Sequence, residues 1–169
     1  MSSQSRKNEA ALSYTEEEAP LVQAIIKFLT SHTYDEKHAI LTEHPELLTA
    51  EAEAILARII ALHRDHGTET DATLTQNWRE FLIDVRTENF AYALARSTIN
   101  RIFVELPDNP AKWNPYLRAV AEKETSLRTP EGDKALAEFT ETLRAEKLPP
   151  PLCAAFDGLR SLVKESGPV

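Results

Sequence analysis

Residues 33–67 read TYDEKHAILTEHPELLTAEAEAILARIIALHRDHG, and this stretch decides the fold class. Its first four residues, Thr33 onward, have the spacing of a capping box, in which a hydroxyl and a glutamate close a helix N-terminus. The helix that follows must stop near Glu43, because the residue before Pro45 disfavours the α conformation. A second helix begins after Thr49 and ends at Gly67, a residue suited to the position just beyond a helix. The stretch therefore predicts an antiparallel αα-hairpin.

Apolar side chains in and before this stretch recur with helical spacing. In the second helix the stripe is Ala52, Ile55, Leu56, Ile59, Ile60 and His63. A preceding helix is expected from about Thr15 or Ala19 to Ser31, and Leu21, Ile25, Phe28 and Leu29 share one face of it. A period of about 3.6 residues is the signature of an amphipathic helix, so the first third of the chain is predicted to be helical.

A further apolar stripe follows the hairpin, made of Leu74, Trp78, Phe81, Leu82 and Val85. Thr87 is a candidate cap for a fifth helix that starts near Phe90. Neither Gly nor Pro lies between Val85 and Phe90, so one long kinked helix is an equal alternative. The pattern leaves these two readings open.

Prolines punctuate the last third of the chain. Asn114 followed by Pro115 predicts a helix start, and Thr129 followed by Pro130 repeats the device. The three prolines of residues 149–151 predict a stiff, extended break before the last helix. The sequence as a whole predicts an all-α fold of seven or eight helices, stacked as antiparallel αα-hairpins in a short solenoid or an irregular bundle.

The length of 169 residues suits one domain. Residues 1–13 are polar and have no apolar period, which predicts a disordered tail. The predicted single helical domain covers residues 14–165. Only four glycines are present, and β-branched residues do not alternate with polar ones, so Rossmann, P-loop and β-sandwich folds are disfavoured.

One part of the sequence resembles a segment of large bacterial tetratricopeptide proteins, often those that carry a caspase-like CHAT domain. The residues that carry the likeness are Phe28-Leu29, Tyr34, Ile40-Leu41, the run from Glu43 through His44-Pro45-Glu46-Leu47-Leu48 to Thr49, Glu51-Ala52 and Ile55-Leu56. The likeness covers residues 16–105. It implies a helical scaffold or adaptor and brings no catalytic or ligand residue with it. A 34-residue repeat of the tetratricopeptide kind is absent from the sequence.

Charge and composition narrow the classes of partner. The formal net charge of −8 disfavours nucleic acid and anionic membranes. Residues 101–169 carry 10 basic and 11 acidic side chains, so an acidic partner is expected to dock in this nearly neutral third. The sequence shows no run of 18 apolar residues and no signal-peptide pattern, and Cys153 is its single cysteine. These features predict a cytoplasmic protein that does not contact a membrane.

Histidines offer the one alternative with metal chemistry. His63 and His66 lie three positions apart on one side of a helix, and a carboxylate from a neighbouring helix would complete a zinc or iron site. The simpler interpretation is that both histidines complement the negative end of the helix dipole just before Gly67. We therefore assign no metal ligand.

No catalytic motif is found. The sequence lacks a Gly-rich phosphate loop, HExxH and GxSxG, and no partner residues surround Cys153 in a nucleophile pattern. We therefore expect no catalytic residue and no cofactor.

The stretch from Asp108 to Tyr116 is the strongest candidate for partner binding. It combines prolines, which limit the entropy lost on binding, with two large aromatic side chains and nearby positive charge. The candidate residues are Lys112, Trp113, Tyr116 and Arg118. Trp113 has two readings, as an exposed anchor or as a plug in a helix junction.

Taken together, the sequence predicts a protein-binding adaptor or scaffold module without catalytic activity, whose partner is another protein. One alternative is a small helical enzyme or metal-binding protein with a His/carboxylate site between helices. Another is a subunit of a larger structural assembly. The sequence does not indicate the oligomeric state.

Overall fold

The computed structural model describes residues 12–168 and is all-helical, as predicted. It contains eight α-helices over that range: α1 (Ala19–Thr30), α2 (Tyr34–Glu43), α3 (Ala50–Asp65), α4 (Glu69–Thr87), α5 (Phe90–Glu105), α6 (Trp113–Lys123), α7 (Pro130–Ala145) and α8 (Pro150–Glu165). No strand occurs in the described range. No helix of this range is long and apolar enough to cross a membrane.

Contacts divide the chain into two compact units. Unit 1 is Met1–Thr87 and unit 2 is Glu88–Val169. The single domain over residues 14–165 stays a prediction, and the predicted tail over 1–13 falls mostly on residues 1–11, which lie outside the described range. In unit 1, α1 packs on α2 and α3, and α3 packs on α4; in unit 2, α5 packs on α7, and α8 packs on α6 and α7.

The corner between α2 and α3 organises unit 1. The predicted capping box at Thr33 is present, and its helix ends at the 3₁₀ turn Pro45–Leu48. Leu47 of this turn is 1% exposed and enters the core. The Thr49 hydroxyl donates to the Glu46 carbonyl at 2.7 Å and accepts from the Ala52 amide at 3.3 Å. One side chain thus closes the turn and caps the next helix.

Unit 2 repeats this corner 80 positions further along the chain. The 3₁₀ turn Thr125–Arg128 buries Leu127, which is 0% exposed. The Thr129 hydroxyl donates to the Ser126 carbonyl and accepts from the Gly132 amide, both at 3.0 Å. Each threonine hydroxyl thus binds the carbonyl three residues before it and the amide three residues after it, so the two corners have the same hydrogen-bonding arrangement.

An ion pair on the helices that follow the corner is also repeated. Glu53 on α3 accepts from Arg79 at 2.8 Å and from Arg86 at 3.1 Å, both on α4. Asp133 on α7 accepts from Arg160 on α8, through Nε at 2.6 Å and Nη2 at 2.8 Å. The Arg160 hydrogen bonds hold the pKa of Asp133 at about 2. The acids are 80 positions apart and the arginines 81, so the two units share the corner and the ion pair that follows it, although α2 packs on α1 in unit 1 and α6 packs on α8 in unit 2.

The first helix of each unit matches in the same way, with an offset of 74 positions. The buried residues that correspond are Leu21 and Ala95, Ala24 and Thr98, Ile25 and Ile99, and Phe28 and Ile102. Because the offset rises from 74 in the first helix to 80 in the second, six residues are inserted between the two helices: four of them lengthen the connection before α6, and α5 and α6 are each extended by one residue. This connection is residues 106–112, against residues 31–33 in unit 1.

Three details of the helix boundaries differ from the sequence predictions. The chain breaks after α4, which decides against one long helix, but Asn89 rather than Thr87 caps α5 through the Tyr92 amide. Helix α6 starts at Trp113, because the preceding 3₁₀ turn leads directly into it. Of the three late prolines only Pro149 is extended, since the next two fit the first turn of α8.

Two glycine substitutions test the packing of the unit 2 corner. A Cβ at Gly132 would lie 2.5 Å from the Leu127 carbonyl oxygen, whereas a Cβ at Gly158 in α8 meets nothing within 4 Å. We expect Gly132→Ala to lower the free energy of unfolding by about 1–3 kcal/mol through overpacking. Gly158→Ala should raise it by about 0.5–1 kcal/mol, because alanine favours a helix interior. Urea unfolding measures both, and equal effects of the two changes would contradict the close approach at Gly132.

Candidate protein-binding site

The longer connection of unit 2 carries the residues that the sequence singles out. Residues 106–112 run from the end of α5 into the 3₁₀ turn Pro110–Lys112. The Asn109 side chain accepts from the Ala111 amide at 3.0 Å, and the Asn109 carbonyl accepts from the Lys112 amide at 2.9 Å. An asparagine cap and a following proline therefore hold the connection in a defined shape.

Trp113 ties this connection to the core of unit 2. Its indole Nε1–H donates to the Pro107 carbonyl at 2.6 Å, and the ring is half-buried against the hydrophobic core. The hydrogen bond closes the connection into a loop across six residues. This placement favours the reading of Trp113 as a plug, with one part of the indole still at the surface.

Tyr116 fixes the other side of the loop. It is half-buried against the same core, and its hydroxyl donates to Glu105 at 3.5 Å. Burial, together with the negative charge of Glu105, raises the pKa of the Tyr116 hydroxyl. Arg101 binds Glu105 at 3.2 Å and Glu124 at 2.8 Å, so the end of α5 and the end of α6 are linked by charge.

Lys112 and Arg118 lie on the same loop and the first turns of α6, and both are exposed. Neither forms an ion pair with any residue of the range 12–168. The four predicted residues therefore lie together within residues 112–118. Trp113 and Tyr116 are half-buried and form what we call the frame of the loop, and the exposed cations Lys112 and Arg118 lie beside them.

The signal that sets this loop apart is an internal duplication, which helix periodicity and caps alone do not show. Thr49 and Thr129, Leu47 and Leu127, Glu51 and Glu131, and Leu56 and Leu136 are identical pairs with one offset of 80. A comparison of the chain with itself at that offset finds the duplication, and the six additional residues then appear as an insertion. In repeat proteins, insertions into one copy map to loops and often to the binding face.

The histidine alternative finds no support in the geometry. His63 Nδ1 lies 3.1 Å from the Thr68 hydroxyl, and His66 Nδ1 lies 2.7 Å from the Leu62 carbonyl. Within residues 12–168, no group of three or more His, Cys, Asp or Glu side chains is arranged to hold a metal. Cys153 is a buried free thiol.

Unit 1 contains a cleft of its own. It lies between the 3₁₀ turn of the corner, α3 and α4, and its cavity volume is about 10 Å³. Typical small-molecule sites measure roughly 300–1,000 Å³. The polar side chains at its wall, Glu53, Arg79 and Arg86, already bind one another. The cleft is too small to be the preferred site, and its charged side chains are already paired with one another.

Comparisons with known proteins do not add to this picture. No protein-family model, no curated protein and no solved structure matches the chain.

Substitution of Trp113 tests the frame of the loop. We expect Trp113→Ala to lower the free energy of unfolding by about 2–4 kcal/mol, because a half-buried indole and its hydrogen bond to Pro107 are lost. Trp113→Phe keeps an aromatic ring and should cost about half as much. Lys112→Ala, next to it and exposed, is the control and should change stability by less than about 0.5 kcal/mol. Urea unfolding that shows no difference between Trp113→Ala and the control would show that the indole is not a plug.

Proposed function

We propose that this chain is a protein-binding adaptor or scaffold module that acts without catalysis. The observation that carries the proposal is the inserted loop of unit 2, which presents Lys112 and Arg118 beside two anchored aromatic rings. The resemblance of the α2–α3 hairpin to tetratricopeptide scaffolds points to the same kind of role. A reducing compartment such as the cytoplasm suits a chain with one buried free thiol.

The loop suits binding because it is organised before a partner arrives. Its backbone is held by the Asn109 cap, by the Trp113–Pro107 hydrogen bond and by two prolines. A segment that is already ordered loses little conformational entropy on association. Partly exposed Trp and Tyr rings supply large contact area, and these residue types are enriched among the energetic centres of interfaces.

The charge of the loop indicates the chemistry of the partner. Lys112 and Arg118 have no ion pair within the described residues, so no internal carboxylate neutralises them. Residues 88–169 carry 11 basic and 12 acidic side chains, against 8 and 15 in residues 1–87, so unit 2 repels an anionic surface far less than unit 1 does. An acidic protein surface is the expected partner, and its approach is steered by charge.

Charge reversal on the full chain tests this function. Proteins retained by the wild-type chain from native lysate are identified by mass spectrometry and then measured as purified pairs. We expect the double variant Lys112→Glu, Arg118→Glu to bind at least tenfold more weakly than wild type. The affinity of the wild type should also fall with salt, because exposed charges are screened.

The matched control changes the same net charge elsewhere in unit 2. Lys123→Glu combined with Lys147→Glu alters two exposed lysines outside the loop and should keep near wild-type affinity. If both double variants weaken binding equally, the effect is one of net charge and the loop is not the site. If no partner discriminates wild type from the loop variant, the proposal fails.

A further inference from the structure

Lys37 on α2 is a charged side chain inside the core of unit 1. It is 2% exposed. Its Nζ donates to the Phe28 carbonyl at 2.7 Å, to the Ser31 carbonyl at 3.1 Å and to the Ser31 hydroxyl at 2.9 Å. The acceptors belong to the C-terminal end of α1, where backbone carbonyls have no helical partner. All three ammonium protons of Lys37 are thus bound.

Two aromatic rings contact the same ammonium, and two more pack against these rings. Lys37 Nζ lies 4.0 Å from the centre of the Trp78 ring and 4.6 Å from that of Phe28, both within cation–π range. Tyr34 contacts Trp78 with ring centres 6.0 Å apart, and Phe81 contacts Trp78 at 5.5 Å. We call these four rings the cage. One wall of it reaches solvent, since Tyr34 is 36% exposed.

The corresponding positions of unit 2 lack this arrangement. The counterparts in unit 2, by the offsets of 74, 80 and 81, are Ile102 for Phe28, Asn114 for Tyr34, Leu117 for Lys37, Leu159 for Trp78 and Leu162 for Phe81. Leu117 is 1% exposed and packs as an ordinary core residue. All four rings and the lysine are therefore present together in one copy and absent together from the other.

The lysine also carries an energetic penalty that leucine avoids. Burial lowers the pKa of Lys37 to about 8, while the charge of Glu36 opposes the shift. Replacement of buried charge by an apolar residue is often neutral or stabilising in proteins. Unit 1 nevertheless keeps a charged residue at a position that leucine occupies in unit 2.

We propose that the cage and the α1 carbonyls form a site for a primary ammonium, that Lys37 is its internal ligand, and that a lysine of a basic partner segment takes its place when Lys37 turns outward. Three acceptors select a group with three N–H donors and disfavour a quaternary ammonium, which has none. Residues 1–87 carry 8 basic and 15 acidic side chains, which favours a cationic segment. This site is separate from the loop of unit 2. It binds a basic partner segment, whereas the loop binds an acidic protein surface.

A rescue experiment on the full chain tests the site itself. Lys37→Ala removes the atoms from Cγ to Nζ, and n-propylammonium has the same four heavy atoms. We expect n-propylammonium chloride to raise the melting temperature of Lys37→Ala in a saturable way and to shift the indole N–H signal of Trp78, since a ligand of the native state stabilises it. Its dissociation constant should be at least tenfold lower for Lys37→Ala than for wild type, where Lys37 competes.

Three controls distinguish recognition of the ammonium group from simple filling of the cavity that Lys37→Ala leaves. At equal ionic strength, 1-propanol and tetramethylammonium should bind Lys37→Ala at least tenfold more weakly than n-propylammonium. Lys27→Ala, which removes an exposed lysine of α1, should show no response to the amine. If 1-propanol rescues as well as the amine, or if the amine does not bind Lys37→Ala, the ammonium site is refuted.

The wild-type chain tests whether a partner lysine displaces Lys37. The peptide acetyl-Gly-Lys-Gly-amide should bind and shift the Trp78 indole signal, and acetylation or trimethylation of its lysine should weaken binding at least tenfold. Lys37→Leu, which copies unit 2, should fold and lose the site. Should Lys37→Ala remain unfolded even with the amine, this titration decides alone. If the peptide does not bind wild type, Lys37 is a fixed structural residue and the proposal is wrong.

Discussion

A threonine hydroxyl at the start of the third helix of each unit is the constraint on which the rest of the structure depends. Thr49 and Thr129 each close a 3₁₀ turn and cap the next helix with the same two hydrogen bonds. The turn places a leucine in the core, and the cap sets where the third helix begins. The acid four residues beyond the threonine then meets an arginine of the fourth helix, so the corner also orients the last helix of its unit.

The two copies share this corner and differ in what they add to it. Unit 1 packs aromatic rings against Lys37 and against one another where unit 2 has aliphatic side chains and one asparagine. Unit 2 has a six-residue insertion between its first two helices, and the insertion is closed by the Trp113–Pro107 hydrogen bond. The two units therefore share the corner and differ in the side chains and in the connection around it.

Local chemistry explains which features could be predicted from the sequence. The caps at Thr33, Thr49 and Thr129 and the positive φ of Gly67 involve residues within a few positions of each other, so the pattern alone specifies them. The candidate loop was also visible, because prolines and aromatics mark it directly.

The features that the sequence did not predict depend on distant residues. The break at Asn89 is made by an extended residue where no Gly or Pro announces it. The burial of Lys37 depends on α4, which lies far from it in sequence, as well as on the end of α1, so the residues around Lys37 do not specify it. The duplication is hard to see in the sequence because the two copies share few identical residues and because the offset changes from 74 to 80 between the first and second helices.

Amide hydrogen exchange at the two corners tests most directly the claim that one device builds both units. The Ala52 and Gly132 amides of the full chain should be protected in wild type by their bonds to Thr49 and Thr129. Thr49→Ala should speed exchange at Ala52 about five- to tenfold and spare Gly132, and Thr129→Ala should do the reverse, as expected for loss of a cap of ~1 kcal/mol. Protection at only one corner, or exchange unchanged by the cognate substitution, would contradict the account.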